Sequence, residues 1–205
     1  MEDVLDLYAQ PPDATAPVVC FDALPYSLHA DSRPAPPREP GVPVRDDYEY
    51  VRRGTCNRFG CYAPHTGERH VWVTERRTAC DFAEAMRTLV DEWYPEAERV
   101  RVVLDNLNTH TGAALYQAFP PAEARRILTR IEWHDTPKHG SWLNQMEIEW
   151  PVLTRQCLDR RLGEIETVRR EVATWERARN TAKATVQWRF GVGEARTKLA
   201  RLYPA

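Results

Sequence analysis

The sequence has no run of about 18 or more apolar residues, which excludes a membrane-spanning helix. Its first stretch, "MEDVLDLYAQPPDA", is acidic and has no apolar signal core, so nothing in it directs secretion. There is no internal repeat and no biased tract beyond one proline-rich connection. Cysteine is sparse, at five residues: Cys20, Cys56, Cys61, Cys80 and Cys157. Cys56 and Cys61 bracket "CNRFGC", but no second ligand pair follows at zinc spacing, and His65 and His70 in "HTGERH" do not complete one. Reduced cysteines in a cytoplasmic chain, with no membrane partner, are the expectation.

What is present suffices for one sizeable domain, or a domain with an extension, in 205 residues. Seven Trp point to a packed core. The net charge of −2 is uneven: residues 151–205 hold 12 Lys+Arg against 6 Asp+Glu, a local +6, and the other 150 residues carry −8. The basic tail is either a solvated helical surface or a phosphate-contacting one, and the acidic body would attract cations.

Along the chain, residues 1–16 form a lead-in helix or loop. "VVCFD" (18–22) predicts a short buried strand ending in a carboxylate. "SRPAPPREPGVPVR" (32–45) holds five prolines and predicts an irregular connection. "YEYVRR", "CNRFGCYAP" and "RHVWVTE" predict three short strands in a meander, broken by Gly, Pro and Asn. Residues 80–95 predict a helix with Phe82, Met86, Leu89, Val90 and Trp93 on one face, Asp81 as cap and Pro95 as stop. A strand over 99–105, a helix over 112–119 closed by Pro120 and Pro121, and a strand over 130–136 follow. A helix is expected from near Asn144 towards Arg161, then one whose stripe is Ile165, Val168, Val172 and Trp175. Strands followed by alternating strand and helix predict an α/β fold: a ribonuclease-H-like mixed sheet with flanking helices and a C-terminal helical extension. The expected divisions are a lead-in at 1–16, a catalytic domain at 17–163 and a basic helical extension at 164–205.

Three acids stand out. Asp22 ends the first strand. Asp105 ends an apolar run that opens into polar residues, "VVLDNLNTH". If those strands are neighbours, both carboxylates emerge at one edge of the sheet. Glu147 begins a helix that can pack beside that edge, but Glu149 competes; two residues apart on a helix, they lie about 200° apart, so only one faces the site. Converging carboxylates repel, and hard divalent cations relieve this because Mg²⁺ favours oxygen ligands. Two such ions, about 3.5–4 Å apart, suit phosphoryl transfer. Asp22 alone could merely cap a turn, as could Asp31, Asp46 or Asp47, whereas the run before Asp105 is how strands deliver ligands to a sheet edge.

"VVLDNLNTH" together with "HDTPKHGSWLNQMEIEW" resembles the DDE superfamily endonuclease domain of bacterial insertion-sequence transposases, the branch related to mariner elements. "VVCFD" is similar to that family's first-acid strand, and "LTRQCLDRR" to the segment after its third acid. The resemblance covers nearly the whole chain. It implies Asp22, Asp105 and Glu147 as the catalytic, metal-binding trio, with Glu147 chosen over Glu149 by its place after Asn144. It also implies Mg²⁺ or Mn²⁺, two ions, as cofactor. The implied reaction is hydrolysis of a DNA phosphodiester to leave a 3′-hydroxyl, which then attacks a phosphate of target DNA. Transposon ends and target DNA are therefore the expected partners, and a homodimer is expected because cutting and joining two ends needs two sites.

Asn106, Asn108 and His110 are expected to orient a carboxylate or touch DNA, or else to form a hydrogen-bonded turn and helix cap. Lys138, His139 and Ser141 either meet the DNA backbone or belong to a plain loop, and Asn144 joins the same group. Trp142 is expected in the core, the alternative being a stack on a base. Three departures from the family matter. Relatives carry an N-terminal helix-turn-helix, for which the residues before 17 leave no room, so that region is expected on a separate partner. Ala23 stands where many relatives carry an acid. Pro151 falls inside the helix of Glu147, which predicts a kink there or a new helix start. The alternative function is an inactive or truncated transposase remnant acting at most as a DNA-binding module. A ribonuclease or junction-cutting nuclease of the same layout ranks third.

Overall fold

The computed structural model describes residues 1–33, 48–105 and 111–203. Its strands are β1 (Val18–Asp31), β2 (Tyr50–Tyr62), β3 (Arg69–Thr74), β4 (Val100–Leu104) and β5 (Ile131–Asp135). They form one mixed sheet in the order β3-β2-β1-β4-β5. β1, β2 and β3 pair antiparallel, while β4 runs parallel to β1 and β5 parallel to β4. This is the ribonuclease-H-like layout expected from the order of elements.

Helices cover both faces. On one side lie α2 (Ala79–Thr88), α3 (Ala113–Ala118) and α4 (Pro121–Thr129), packing Phe82, Met86, Leu115 and Ile127 onto Val19, Phe21 and Phe59. On the other lie α1 (Glu2–Ala9), α5 (Met146–Leu153), α6 (Ile165–Thr181) and α7 (Val192–Lys198), packing Leu5, Trp150, Leu153, Val172 and Ala195 onto Val18, Cys20 and Val103. Successive residues of β1 therefore serve opposite cores, which is why 18–23 are buried without a break. The same alternation puts Cys56 and Cys61, five apart, on opposite faces, so one ion cannot reach both.

Several expectations are corrected. β1 runs to Asp31, so Asp22 lies inside the strand and not at its end. "YEYVRR" and "CNRFGCYAP" are one strand, not two. Gly54, a strand breaker by residue type, sits at φ 117 beside a register shift at Leu28/His29, where a bulge absorbs it. Thr78, not Asp81, caps α2; Asp81 is the reciprocal member of the capping box. The helical path then widens into a π turn over Leu89–Trp93. α3 ends before Pro120 and Pro121 as expected, but Pro121 also opens a helix that the sequence reading lacks, standing at the first position of α4, where a missing N–H costs nothing. Pro151 starts no new helix: α5 runs through it and passes into a π turn over Thr154–Leu158. Residues 34–45 of the proline-rich connection lie outside the described residues.

The stripe predicted on α6 is real. Val168, Val172 and Trp175 are buried, each stabilising by roughly 1.5–3 kcal/mol relative to exposure. The polar side of this contact matters as much. β3 is an edge strand, and α6 side chains satisfy its backbone. The Asn180 amide donates to the Arg69 carbonyl at 2.7 Å and accepts from the Arg69 N–H at 3.0 Å. Glu176 accepts from the Val71 N–H at 2.7 Å, and Arg169 donates to the Val73 carbonyl at 3.1 Å. Residues 169, 176 and 180 share one face of α6, so a helix does for β3 what a sixth strand would do.

No described helix is long and apolar enough to cross a membrane, and all five cysteines are free.

Candidate active site

The register of β1 on β4 decides where two acids meet. Cys20 pairs with Val103, and two residues further along each strand stand Asp22 and Asp105, the latter just past the end of β4. Side chains repeat every second residue, so Asp22 shares the face of Val18 and Cys20, the side covered by α5. Asp22 is 7% exposed. Its Oδ1 accepts from the Ala23 N–H at 2.7 Å and its Oδ2 from the Trp150 indole N–H at 2.6 Å.

Glu147 sits in the first turn of α5 and is exposed. Burial raises its pKa, and the charges of Asp22 and then Asp105 raise it further. The charges of both other acids thus reach Glu147, although 125 positions separate the first from the last. Glu149 points the other way. It is 1% exposed and forms ion pairs with Arg69 at 3.0 Å and Arg179 at 3.1 Å. Arg69 is itself fully buried; burial lowers its pKa, and Glu149 opposes that.

The loop into α5 is held by short-range chemistry. Gly140 closes a turn on the Pro137 carbonyl at 2.8 Å, and a Cβ there would overlap the Pro137 ring. His139 takes φ 63 in this turn, a left-handed conformation that His, like Asn and Asp, adopts more readily than other non-glycine residues. Lys138, His139 and Ser141 are exposed. Asn144 is 1% exposed, and its amide donates to the Phe21 carbonyl at 2.8 Å, tying the loop to the residue before Asp22. Trp142 is not in the core as expected: it is 43% exposed and meets Phe190 edge-on at 5.4 Å. The polar run between Asp105 and Thr111 contains Asn106, Asn108 and His110, which lie outside the described residues.

Sequence reasoning missed three residues around Asp22. Trp150 stands one turn beyond Glu147 on α5. Gly60 is the cross-strand partner of Asp22. Arg58, 3% exposed, stacks on Trp150 with its guanidinium carbon 5.1 Å from the ring centroid. The glycine in "RFGCY" was a visible signal, but its partner depends on a register that only pairing reveals.

The donor set is all oxygen, the preference of Mg²⁺ and Mn²⁺. Among the described residues, no three His, Cys, Asp or Glu side chains form a ready-made cage. An ion here would complete its shell with water and substrate phosphate, as Mg²⁺ commonly does. The residues suit that use by their chemistry: carboxylates on rigid elements, one of them with its pKa raised by burial and by the charges of the other two.

A family model described as DDE superfamily endonuclease matches residues 17–169. Among curated proteins, none matches. Solved structures with this fold include the Mos1 transposase paired-end complex with left transposon end, at TM-score 0.59 and 17% identity, covering 86% of this chain and 52% of that one. The Mos1 mariner paired end complex with Mn matches at 0.58 and 17%, over the same shares. The Mos1 Strand Transfer Complex matches at 0.58 and 15%, again over 86% and 52%. The chain thus spans about half the length of the structures it matches, and at these identities the likeness is one of fold.

Proposed function

We infer function from one established premise, that this chain belongs to the DDE superfamily endonuclease family. On that premise we propose a transposase catalytic domain that cleaves DNA phosphodiesters and transfers the resulting 3′ end. Asp22, Asp105 and Glu147 would hold one or two Mg²⁺ or Mn²⁺ ions. When bound, these supply the positive charge that activates the attacking oxygen and stabilises the leaving one. The chain's own part is to place three carboxylates. β1 and β4 carry two of them on adjacent parallel strands, and α5 brings the third. An ion bound there would offset the repulsion from Asp22 and Asp105 that, after burial, raises the Glu147 pKa. Lys138 and His139, exposed in the turn before α5, would touch DNA phosphates, and Trp142 is open enough to meet a base. Asn144 would orient the backbone at Phe21.

The observation that carries this reading is geometric: Asp22 and Asp105 each stand two residues beyond the Cys20–Val103 pair of adjacent parallel strands, and Trp150, one turn from Glu147 on α5, is bonded to Asp22. Residues 17–163 would form the catalytic unit, with 164–205 a helical extension built onto its sheet. DNA ends, target DNA, a second copy of the chain and a separate end-binding helix-turn-helix are the proposed partners, in the cytoplasm. The test is purified protein with supercoiled DNA and Mn²⁺. Nicking that disappears in Asp105→Ala supports the proposal. Binding without nicking assigns the chain instead to the non-catalytic DNA-binding alternative, and a preference for RNA–DNA hybrids or branched DNA to a different nuclease.

A further inference from the structure

We propose that Trp150 is a positioning residue for Asp22, held in place by a mount that β2 provides. The inference rests on the reading of Asp22 as an ion ligand. The indole N–H reaches Asp22 Oδ2 at 2.6 Å, while the Ala23 N–H takes Oδ1 at 2.7 Å, so both carboxylate oxygens are held. Trp150 and Asp22 are buried, at 2% and 7% exposure.

Two residues of β2 build the mount. Gly60 lies directly across from Asp22 in the β1–β2 register. A Cβ at Gly60 would stand 2.6 Å from Trp150 Cη2 and would also overlap the Met146 methyl. The indole therefore occupies the space that a side chain opposite Asp22 would fill. Arg58, two residues earlier on the same face of β2, lies against the ring, with Tyr26 against the guanidinium on another side at 5.4 Å. Its Nη2 donates to the Pro25 carbonyl at 3.3 Å, whereas its Nε and Nη1 meet no acceptor among the described residues. Its guanidinium works here as a flat, charged wall rather than as an ion-pair partner.

A core tryptophan needs some acceptor for its N–H, and a backbone carbonyl would serve. This one uses the carboxylate that the fold delivers to the site. Groups that orient a ligand without touching the ion typically change metal affinity about 10–100-fold when removed.

The experiment is calorimetric titration of the full chain with Mn²⁺, run on the native protein, Asp22→Asn and Trp150→Phe, with melting temperatures measured in parallel. Trp150→Phe keeps a ring and removes the N–H. The expected result is loss of binding in Asp22→Asn, and binding weakened about tenfold or more in Trp150→Phe without a matching fall in melting temperature. Native-like Mn²⁺ affinity in Trp150→Phe, with binding lost in Asp22→Asn, overturns the positioning role and leaves the ligand reading intact. Native-like affinity in Asp22→Asn overturns the ligand reading itself. If Trp150→Phe does not fold, the indole N–H resonances of the native chain decide. The one that Asp22→Ala displaces is expected to move again when Mg²⁺ is added, and the proposal fails if no resonance responds to both.

Discussion

Glu147 and Glu149 occupy one turn of α5 and face opposite sides of it, the first towards Asp22 and Asp105, the second into a buried ion cluster with Arg69 and Arg179. The buried pair sets the rotation of the helix, and that rotation aims the exposed carboxylate. Glu149→Ala strands two arginines, one fully buried, and should cost roughly 3–5 kcal/mol. Glu147→Ala relieves repulsion at an exposed position and should stay within about 1 kcal/mol of the native chain. Urea denaturation of the two variants measures both, and equal costs would refute the division of labour.

The clasp of α6 on β3 predicts an association phenotype. Asn180→Ala and Glu176→Ala each strip a backbone partner from the edge strand, and each should cost about 1–3 kcal/mol. The double variant exposes an unpaired edge and should self-associate. Light scattering on the eluted double variant checks this; a monodisperse product with the native mass is the contrary result.

The same contact should depend on pH. His70 stacks on Trp93 at 4.2 Å and stands between Glu176 at 3.4 Å and Glu68 at 3.5 Å. Burial pulls its pKa down, but the two glutamate carboxylates outweigh that and hold it at about 8. A histidine raised in the folded state stabilises fully below its unfolded value and loses that contribution as pH rises through the folded one. The window is therefore about pH 6.5–8, and the loss on the order of 1–2 kcal/mol. Denaturation at pH 6 and pH 9 should show it in the native chain and much less of it in His70→Gln.

The basic extension predicts a salt effect. Arg177, Lys183 and Arg189 are exposed. If they meet phosphates, replacing all three by Gln should flatten the slope of log affinity against log salt by roughly 0.9 for each phosphate no longer neutralised. An unchanged slope in a folded variant removes 164–205 from the DNA surface. Deleting the segment is the wrong test, because Val168, Val172, Trp175 and Ala195 belong to the core.

Much of the candidate site was legible because local patterns carry it. An apolar strand delivering Asp105 and the spacing of Asn144 to Glu147 are short-range features, and they led to the DDE family that the chain belongs to. What was illegible depends on pairing between distant segments. Gly54 looked like a break because a bulge cannot be told from a turn without its partner strand. Pro120 and Pro121 looked like a stop because the same residue ends one helix and starts another. Trp142 and Trp150 have the same composition-level meaning, yet one is open and the other is bonded to a carboxylate 128 positions away. The grip of α6 on β3 was likewise hidden: Arg169, Glu176 and Asn180 look like a solvated face until an edge strand is placed against them.

The most direct measurement is anomalous diffraction from a crystal soaked with Mn²⁺. The account predicts manganese density in contact with the carboxylates of Asp22 and Asp105, with Glu147 turned towards it. Crystals whose manganese binds only elsewhere, with those three side chains left bare, would contradict it.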